Sequence, residues 1–307
     1  MSLEINGSHL DATLFDSLSI DGVSIHIFRD DLNHAKVSGN KLHKLKPNLE
    51  LAKSHDFSTI ASFGGPYSNH LHALAWACKE NGLNSVGIVR GELHTKLTPT
   101  LNDCQEWGMR LIACQRKDYR AIQEYLTQIE SLCAAHDLPQ SVFKDLPAGT
   151  MVIPEGGSNV EAIDSIRLAY KNVFESASSK QITHAICATG TGATLAGLYK
   201  AAPKNVDVIG IQAVSEGNAT LNRIHQWVKE KPKRLTILPG HMGGFGKSSA
   251  ALTQFIEQFD RTHHIPLDFV YNGKALFKIS EMIRTGQFKK GDQVLYIHTG
   301  GLQCNRS

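Results

Sequence analysis

Short apolar runs recur along the chain, and most of them close on glycine or serine. They read IHIF (25–28), TIASFGG (59–65), SVGIVRG (85–91), RLIAC (110–114), MVIPEGG (151–157), HAICATG (184–190), DVIGIQAV (207–214) and VLYIHTGG (294–301). Runs of this length, rich in Val and Ile and bounded by turn formers, predict buried strands. Between them the apolar period lengthens to that of a helix. NHLHALAWACKENG puts Leu71, Leu74, Ala75 and Cys78 on one face and stops at Gly82. AIQEYLTQIESLCAAHD puts Ile122, Tyr125, Leu126, Ile129 and Cys133 on one face, and GATLAGLYKAA and LFKISEMIRTG follow the same rule. Strands alternating with helices predict an α/β fold built on parallel sheet. Ligands then bind beyond the carboxyl ends of the strands, which here are the Gly- and Ser-rich loops. DLPQSVFKDLPAG (137–149), with two prolines and weak periodicity, is the expected crossing between domains.

Composition narrows the function classes. The 307 residues are 41% hydrophobic and 20% charged with a formal net charge of +3, an ordinary globular balance. No basic block is interleaved with aromatics, so no nucleic-acid partner is expected. Cys78, Cys104, Cys114, Cys133, Cys187 and Cys304 form no C-x-x-C pair, and several sit inside apolar runs. They predict buried free thiols in a reducing compartment, with no metal-ligand set. The start, MSLEINGSHLDATLF, lacks a basic stretch followed by an apolar core, and no stretch approaches a membrane span. The expectation is a cytoplasmic protein with no membrane partner.

Two phosphate-binding patterns fail on spacing. RLTILPGHMGGFGKSS (234–249) resembles a strand followed by a Walker A loop, but the required first glycine falls on His241. HAICATGTGATLAG (184–197) resembles a dinucleotide turn, but the third glycine falls on Leu195 and the acidic ribose ligand would fall near Gln212. The chemistry of the second stretch survives its failed spacing. TGTGAT, from Thr189 to Thr194, sets hydroxyls and two glycines between a strand and a helix start, which suits a single phosphate.

SGNKLHKLKPN (38–48) carries Lys41, Lys44 and Lys46 where a helix begins, the end at which the dipole disfavours cations. Lys41 and Lys44 share a helix face. One could pair with a phosphate, and the other could be a neutral amine whose pKa the nearby cation and helix start lower. A neutral lysine beside a bound monophosphate is the arrangement that pyridoxal phosphate needs.

GNKLHKL, FGGPYSNHLHALA, VIPEGGSN, ATGTGATLAGL, FVYNGKAL and VLYIHTGG occur in this order from about residue 25 to 301. Together they resemble the 1-aminocyclopropane-1-carboxylate deaminase / D-cysteine desulfhydrase family of tryptophan-synthase-β-like (fold type II) pyridoxal-phosphate enzymes. The resemblance implies a large cofactor-binding domain (1–50 and 150–307), a small domain (51–149) and a homodimer. It implies that Lys41 carries the cofactor covalently and that Lys44 helps hold its phosphate. Thr189, Gly190, Thr191, Gly192 and Thr194 would form the phosphate cup. Ser68 matches the serine that meets the substrate carboxylate, Asn69 the residue bonded to the cofactor's phenolic oxygen, and Tyr271 an active-site tyrosine. Thr299 lies where the family contacts the substrate or the pyridine ring, and Tyr67, Asn272 and Gly157 are further substrate-binding candidates. The deaminase branch reads VYEGK and HLGG at the two late motifs; this chain has Asn272 for the glutamate and Thr299 for the leucine, and Tyr67 stands for the glutamine before the serine. The implied activity is α,β-elimination from a small amino acid such as D-cysteine, with Lys41, Tyr271 or Tyr67 taking the Cα proton. Cyclopropane ring opening, or a cofactor-binding relative without turnover, are the alternatives.

Overall fold

The computed structural model describes residues 15–93, 96–126, 133–134, 146–214, 218–229, 231–244 and 246–306. Two sheets carry the strands. The first holds β1 (Phe15–Ile20), β2 (Val23–Phe28), β8 (His184–Thr189), β9 (Asp207–Gln212), β10 (Leu235–Pro239) and β11 (Gln293–Ile297) in the order β1-β2-β11-β8-β9-β10. All its pairs are parallel except β1 with β2. The second holds β3 (Thr59–Gly64), β4 (Asn84–Arg90), β5 (Arg110–Cys114), β6 (Cys133–Ala134) and β7 (Thr150–Val152) in the order β5-β4-β3-β7-β6. Only β6 with β7 is antiparallel there. All six residues of β3 are buried, as a parallel strand covered on both faces requires.

The helices are α1 (Asn40–Ser54), α2 (Asn69–Glu80), α3 (Pro99–Glu106), α4 (Arg116–Leu126), α5 (Val160–Ser176), α6 (Ala193–Ala201), α7 (Ala219–Val228), α8 (Ala250–His263) and α9 (Asn272–Arg284). Ile166 and Tyr170 of α5 pack with Leu195 and Leu198 of α6 on one side of the first sheet. Phe259 of α8 with Ile279 and Met282 of α9 cover the other. Leu42 and Leu45 of α1 and Leu71 and Leu74 of α2 line the second sheet on one face, and Tyr119, Ile122 and Leu126 of α4 line the opposite face. Among the described residues, no helix is long and apolar enough to cross a membrane.

The predicted elements differ in a few places. β1 is half exposed and polar, so its apolar run is too thin to read; an Asp21-Gly22 turn with both φ positive folds it back on β2. The run at 151–157 is strand only to Val152 and then a 3-10 turn (Glu155–Gly157). Of the helix face predicted over 121–137, residues 121–126 are helical in α4; Tyr125 is exposed, Cys133 pairs as strand with Val152, and Ile129 lies outside the described residues. So does most of the predicted crossing segment at 137–149. Cys78, Cys104, Cys114, Cys187 and Cys304 are buried free thiols.

One close approach sets the site. Gly39, with φ +68°, caps α1, and a Cβ there would stand 1.9 Å from the Thr299 carbonyl oxygen at the end of β11. The Asn40 N–H donates to that same oxygen at 3.3 Å. Gly39→Ala combines a backbone conformation that side chains resist with a steric overlap that only backbone movement relieves. It is expected to lower unfolding stability by about 2 kcal/mol or more. A denaturant midpoint equal to that of the unsubstituted protein would contradict the approach.

Candidate active site

A cavity opens where the carboxyl ends of β3, β4, β8 and β11 meet the first turns of α1, α2 and α6. α1 delivers two lysines to it. Lys41 Nζ donates to Asn40 Oδ1 at 2.8 Å, and Asn40 Nδ2 donates to Thr194 Oγ1 at 2.8 Å, so the lysine is tied to the start of α6. Lys44 is 2% exposed and donates to the Gly156 carbonyl at 3.1 Å. Among the described residues neither ammonium has a carboxylate partner within ion-pair distance. Lys46 is exposed.

Electrostatics follow from that isolation. Burial pushes Lys41 down to about 8, against the pull of Asp268 and Asp30. The cause is therefore desolvation rather than the neighbouring cation that the sequence suggested. Burial, aided by Lys41, holds Lys44 well below the usual lysine range. Behind the lysines lies Asp30, buried and accepting from His43 Nε2 at 2.8 Å, Asn33 Nδ2 at 2.9 Å and the Tyr170 hydroxyl at 3.1 Å. It sits in a 3-10 turn (Asp30–Leu32), and burial with this carboxylate nearby raises the Tyr170 pKa.

Facing the lysines, the loop from Thr189 to Thr194 runs into α6. Gly192, at φ +99°, caps α6 without a side-chain acceptor, and the first turn holds no acidic residue. The opening amides of this helix are donors with no cap, a standing attraction for an anion. A Cβ on Gly192 would press on Thr220 and Ile224 at 3.1 and 3.2 Å, so the loop lies flat only as glycine.

The comparisons with known proteins fit this geometry. The family described as pyridoxal-phosphate dependent enzyme matches residues 14–300. The chain belongs to the pyridoxal-phosphate dependent enzyme family. A Pyrococcus horikoshii protein, named provisionally as a 1-aminocyclopropane-1-carboxylate deaminase, is 27% identical over 299 residues, covering 92% of this chain and 85% of its own. A crystal structure of a homologue of that deaminase superposes with a TM-score of 0.79 at 25% identity, covering 93% of this chain and 86% of its own. The O-acetylserine dependent cystathionine beta-synthase from Helicobacter pylori shares the fold alone, with a TM-score of 0.63 at 14% identity and coverage of 95% and 94%. The fold is fold type II of these enzymes, and the cofactor is pyridoxal phosphate.

The residues present fit that cofactor. An uncapped helix start, the buried Lys44 and the half-buried Lys41, neither with a carboxylate partner among the described residues, make an anion site, and Asn69 Oδ1 is a buried acceptor with no hydrogen-bond partner. Lys41, Lys44, Tyr67, Ser68, Asn69, Tyr271, Thr299 and the loop residues Thr189, Gly190, Thr191, Gly192 and Thr194 all line this cavity. Ser68 is also the cap of α2, its Oγ accepting from the Leu71 N–H at 3.2 Å, while Asn69 Nδ2 donates to the Gly301 carbonyl at 3.1 Å. The Tyr271 ring lies against Gly190, where an added Cβ would meet Cε1 at 3.3 Å.

Two of the substrate-binding candidates stand elsewhere. Gly157 is buried behind the wall, where a Cβ would meet His70 Cε1 at 3.1 Å and Lys44 Cβ at 3.5 Å; its role is to let those side chains pack. Asn272 is fully buried with its amide spent. Nδ2 donates to Asp268 Oδ2 at 2.8 Å and the Gly300 carbonyl at 3.0 Å, while Oδ1 accepts from the Tyr296 hydroxyl at 2.9 Å and the Thr299 N–H at 3.1 Å. It positions the β11 loop and leaves nothing to offer a substrate.

His70, Arg90, Glu155 and Asp268 were not singled out from the sequence. Asp268 has no motif signal; its carboxylate accepts the N–H groups of Val270, Tyr271 and Asn272 and so sets the start of α9. His70 follows Asn69 directly and Arg90 closes a predicted strand, so both carried a positional signal. Ser62 Oγ donates to the Ile153 carbonyl at 3.0 Å and pairs with His70 Nε2 at 2.7 Å, which assigns the ring proton to Nε2. His70 Nδ1 is left as a buried lone pair, and burial beside Lys41 and Lys44 holds this ring neutral.

A depressed lysine reads out directly. With Lys41 near 8 rather than 10.5, free amine at neutral pH exceeds that of an ordinary lysine by about 300-fold. Labelling of Lys41 in the cofactor-free protein by an amine-directed reagent, followed by peptide mass mapping, is expected to show a midpoint near pH 8. A midpoint above 10 would refute the burial effect. The same depression makes the unfolded chain bind more protons between about pH 8 and 10.5, so this lysine's contribution to stability rises with pH across that window.

Proposed function

We propose that this enzyme is a lyase/deaminase that eliminates a β-substituent from a small amino acid, with D-cysteine as the leading substrate. The observation that carries the reading is the pairing of a depressed lysine, Lys41, with the anion-seeking wall formed by Lys44 and the start of α6. Bound pyridoxal phosphate would supply an electron sink for the pair left when the Cα–H bond breaks. Lys41 would hold the cofactor covalently. Lys44, the loop amides and the hydroxyls of Thr191 and Thr194 would hold its phosphate. The side chain of Asn69 would meet the ring's phenolic oxygen, and Ser68 with the opening amides of α2 would bind the substrate carboxylate.

Once the substrate amine takes its place, Lys41 would be the base for the Cα proton: burial keeps a usable fraction of its amine neutral. The Cβ–S bond then breaks and the sulfur leaves as sulfide. The balanced change is D-cysteine plus water to pyruvate, ammonia and hydrogen sulfide. Thr299, a hydroxyl rather than an acid, lies on the cavity wall and is held there by Asn272 behind it, whose Oδ1 accepts the Thr299 N–H. A neutral partner for the pyridine nitrogen tempers the sink, which suits loss of a good leaving group. A second reading, opening of 1-aminocyclopropane-1-carboxylate, is favoured by the name of the Pyrococcus horikoshii relative. The working protein is proposed to be a cytoplasmic homodimer.

The test is a substrate panel read for sulfide, pyruvate and 2-oxobutanoate, with Lys41→Ala beside the unsubstituted enzyme. D-Cysteine is expected to release sulfide and pyruvate in equal amounts. Lys41→Ala should lower turnover by about 10³-fold and abolish borohydride fixation of the cofactor to the peptide containing residue 41. Release of 2-oxobutanoate from the cyclopropane substrate, without sulfide from cysteine, would select the second reading. Unaltered fixation in Lys41→Ala would discard the role of this lysine.

A further inference from the structure

The cavity has a second charged wall that none of these roles uses. β4 ends at Arg90, and the carboxyl end of a parallel strand is where an α/β sheet presents its ligand-facing groups. Arg90 lines the cavity together with Gly65, Tyr67 and Glu155. It is half-buried, and its guanidinium lies over the Tyr119 ring, 5.6 Å from the centroid. Nη2 comes close enough to Gly65 that a Cβ there would stand 3.5 Å away, which places the group beside the turn that begins α2. Among the described residues it has no ion pair.

An arginine in this setting is unusual. Surface guanidinium groups find carboxylates or water, whereas this one is held by a ring and faces a ligand cavity. Stacking pre-orders the planar fork, so little side-chain entropy remains to be lost when an anion docks. The cofactor phosphate has its own cations and amides in Lys44 and the start of α6. The α-carboxylate of an amino acid has Ser68 and the opening amides of α2. Arg90 is thus surplus to a substrate with one carboxylate. Glu155, the acidic residue on this wall, offsets part of the positive charge, so the match is to a singly charged group rather than a dianion.

We infer that Arg90 is a specificity-determining residue that receives an anionic group on the substrate side chain, so that the preferred amino acids end in a carboxylate or sulfonate. This rests on the reading above that the enzyme acts on a small amino acid, and it places amino acids with an acidic side chain ahead of D-cysteine. The fork geometry suits a bidentate contact with either oxyanion, and such charge-assisted pairs discriminate by about tenfold or more when desolvated.

The experiment titrates the holoenzyme, followed by the absorbance of its bound cofactor, with both enantiomers of serine, aspartate, cysteate and O-phosphoserine. Aspartate or cysteate of one hand is expected to half-saturate the change at about one tenth the serine concentration or less, with O-phosphoserine weaker than either. In Arg90→Gln the ratio between aspartate and serine should fall to about one, and Arg90→Lys should keep part of it. Arg90→Lys also guards against a folding defect, because it preserves the charge over Tyr119. Serine binding more tightly than every acidic ligand would overturn the inference. So would an equal loss for serine and aspartate in Arg90→Gln, which would mean that Arg90 holds the α-carboxylate. A spectrum unmoved by any amino acid would refute the amino-acid reading itself, and this inference with it.

Discussion

Two lysines one helical turn apart, Lys44 buried and Lys41 half-buried, both without carboxylate partners among the described residues, set the terms for the rest of this molecule. Buried cations are normally paired, because an unpaired charge in a low-dielectric interior costs several kcal/mol. Here the chain answers with an uncapped helix start rather than an acid. The site is therefore poised for an anion brought from outside. Its partial relief without one is proton loss, the direction in which burial drives both lysines.

Everything that positions those lysines is steric and polar at close range. Gly39 lets the start of α1 touch the end of β11, and Asn272 clamps the β11 loop to α9 through Asp268. Gly157 lets Lys44 and His70 pack side by side. Asn40 links Lys41 to α6 by a single side chain. None of these residues needs to touch a substrate to govern how a substrate is met. Lys41 and the loop from Thr189 to Thr194 come from distant parts of the chain, and the β11 loop joins them because β11 lies between β2 and β8 in the first sheet.

The two walls of the cavity differ in kind. The wall made by α1 and α6 sets two lysines without carboxylate partners beside an uncapped helix start. The wall made by β3, β4 and the turn at Glu155–Gly157 belongs to the second sheet and carries one charge of each sign, Arg90 and Glu155.

Much of this was legible in the order of the residues. Parallel α/β architecture followed from strand runs ending in glycine, since a strand buried on both faces must be apolar throughout. The cup at Thr189–Thr194 and the lysine pair on α1 were legible because their chemistry is local: a turn, a helix start and an i, i+3 spacing. The edge strand β1 was not, because a half-exposed strand carries only half the apolar pattern. Asn272 read as a pocket residue, and only tertiary structure showed its amide consumed by Asp268, Gly300, Tyr296 and Thr299. The same holds for the cause of the low Lys41 pKa: sequence pointed to a neighbouring charge, but burial dominates, and burial is a property of the whole fold. Local chemistry is written in the order of residues; desolvation and the spending of hydrogen bonds depend on which distant groups the packing brings within a few ångströms.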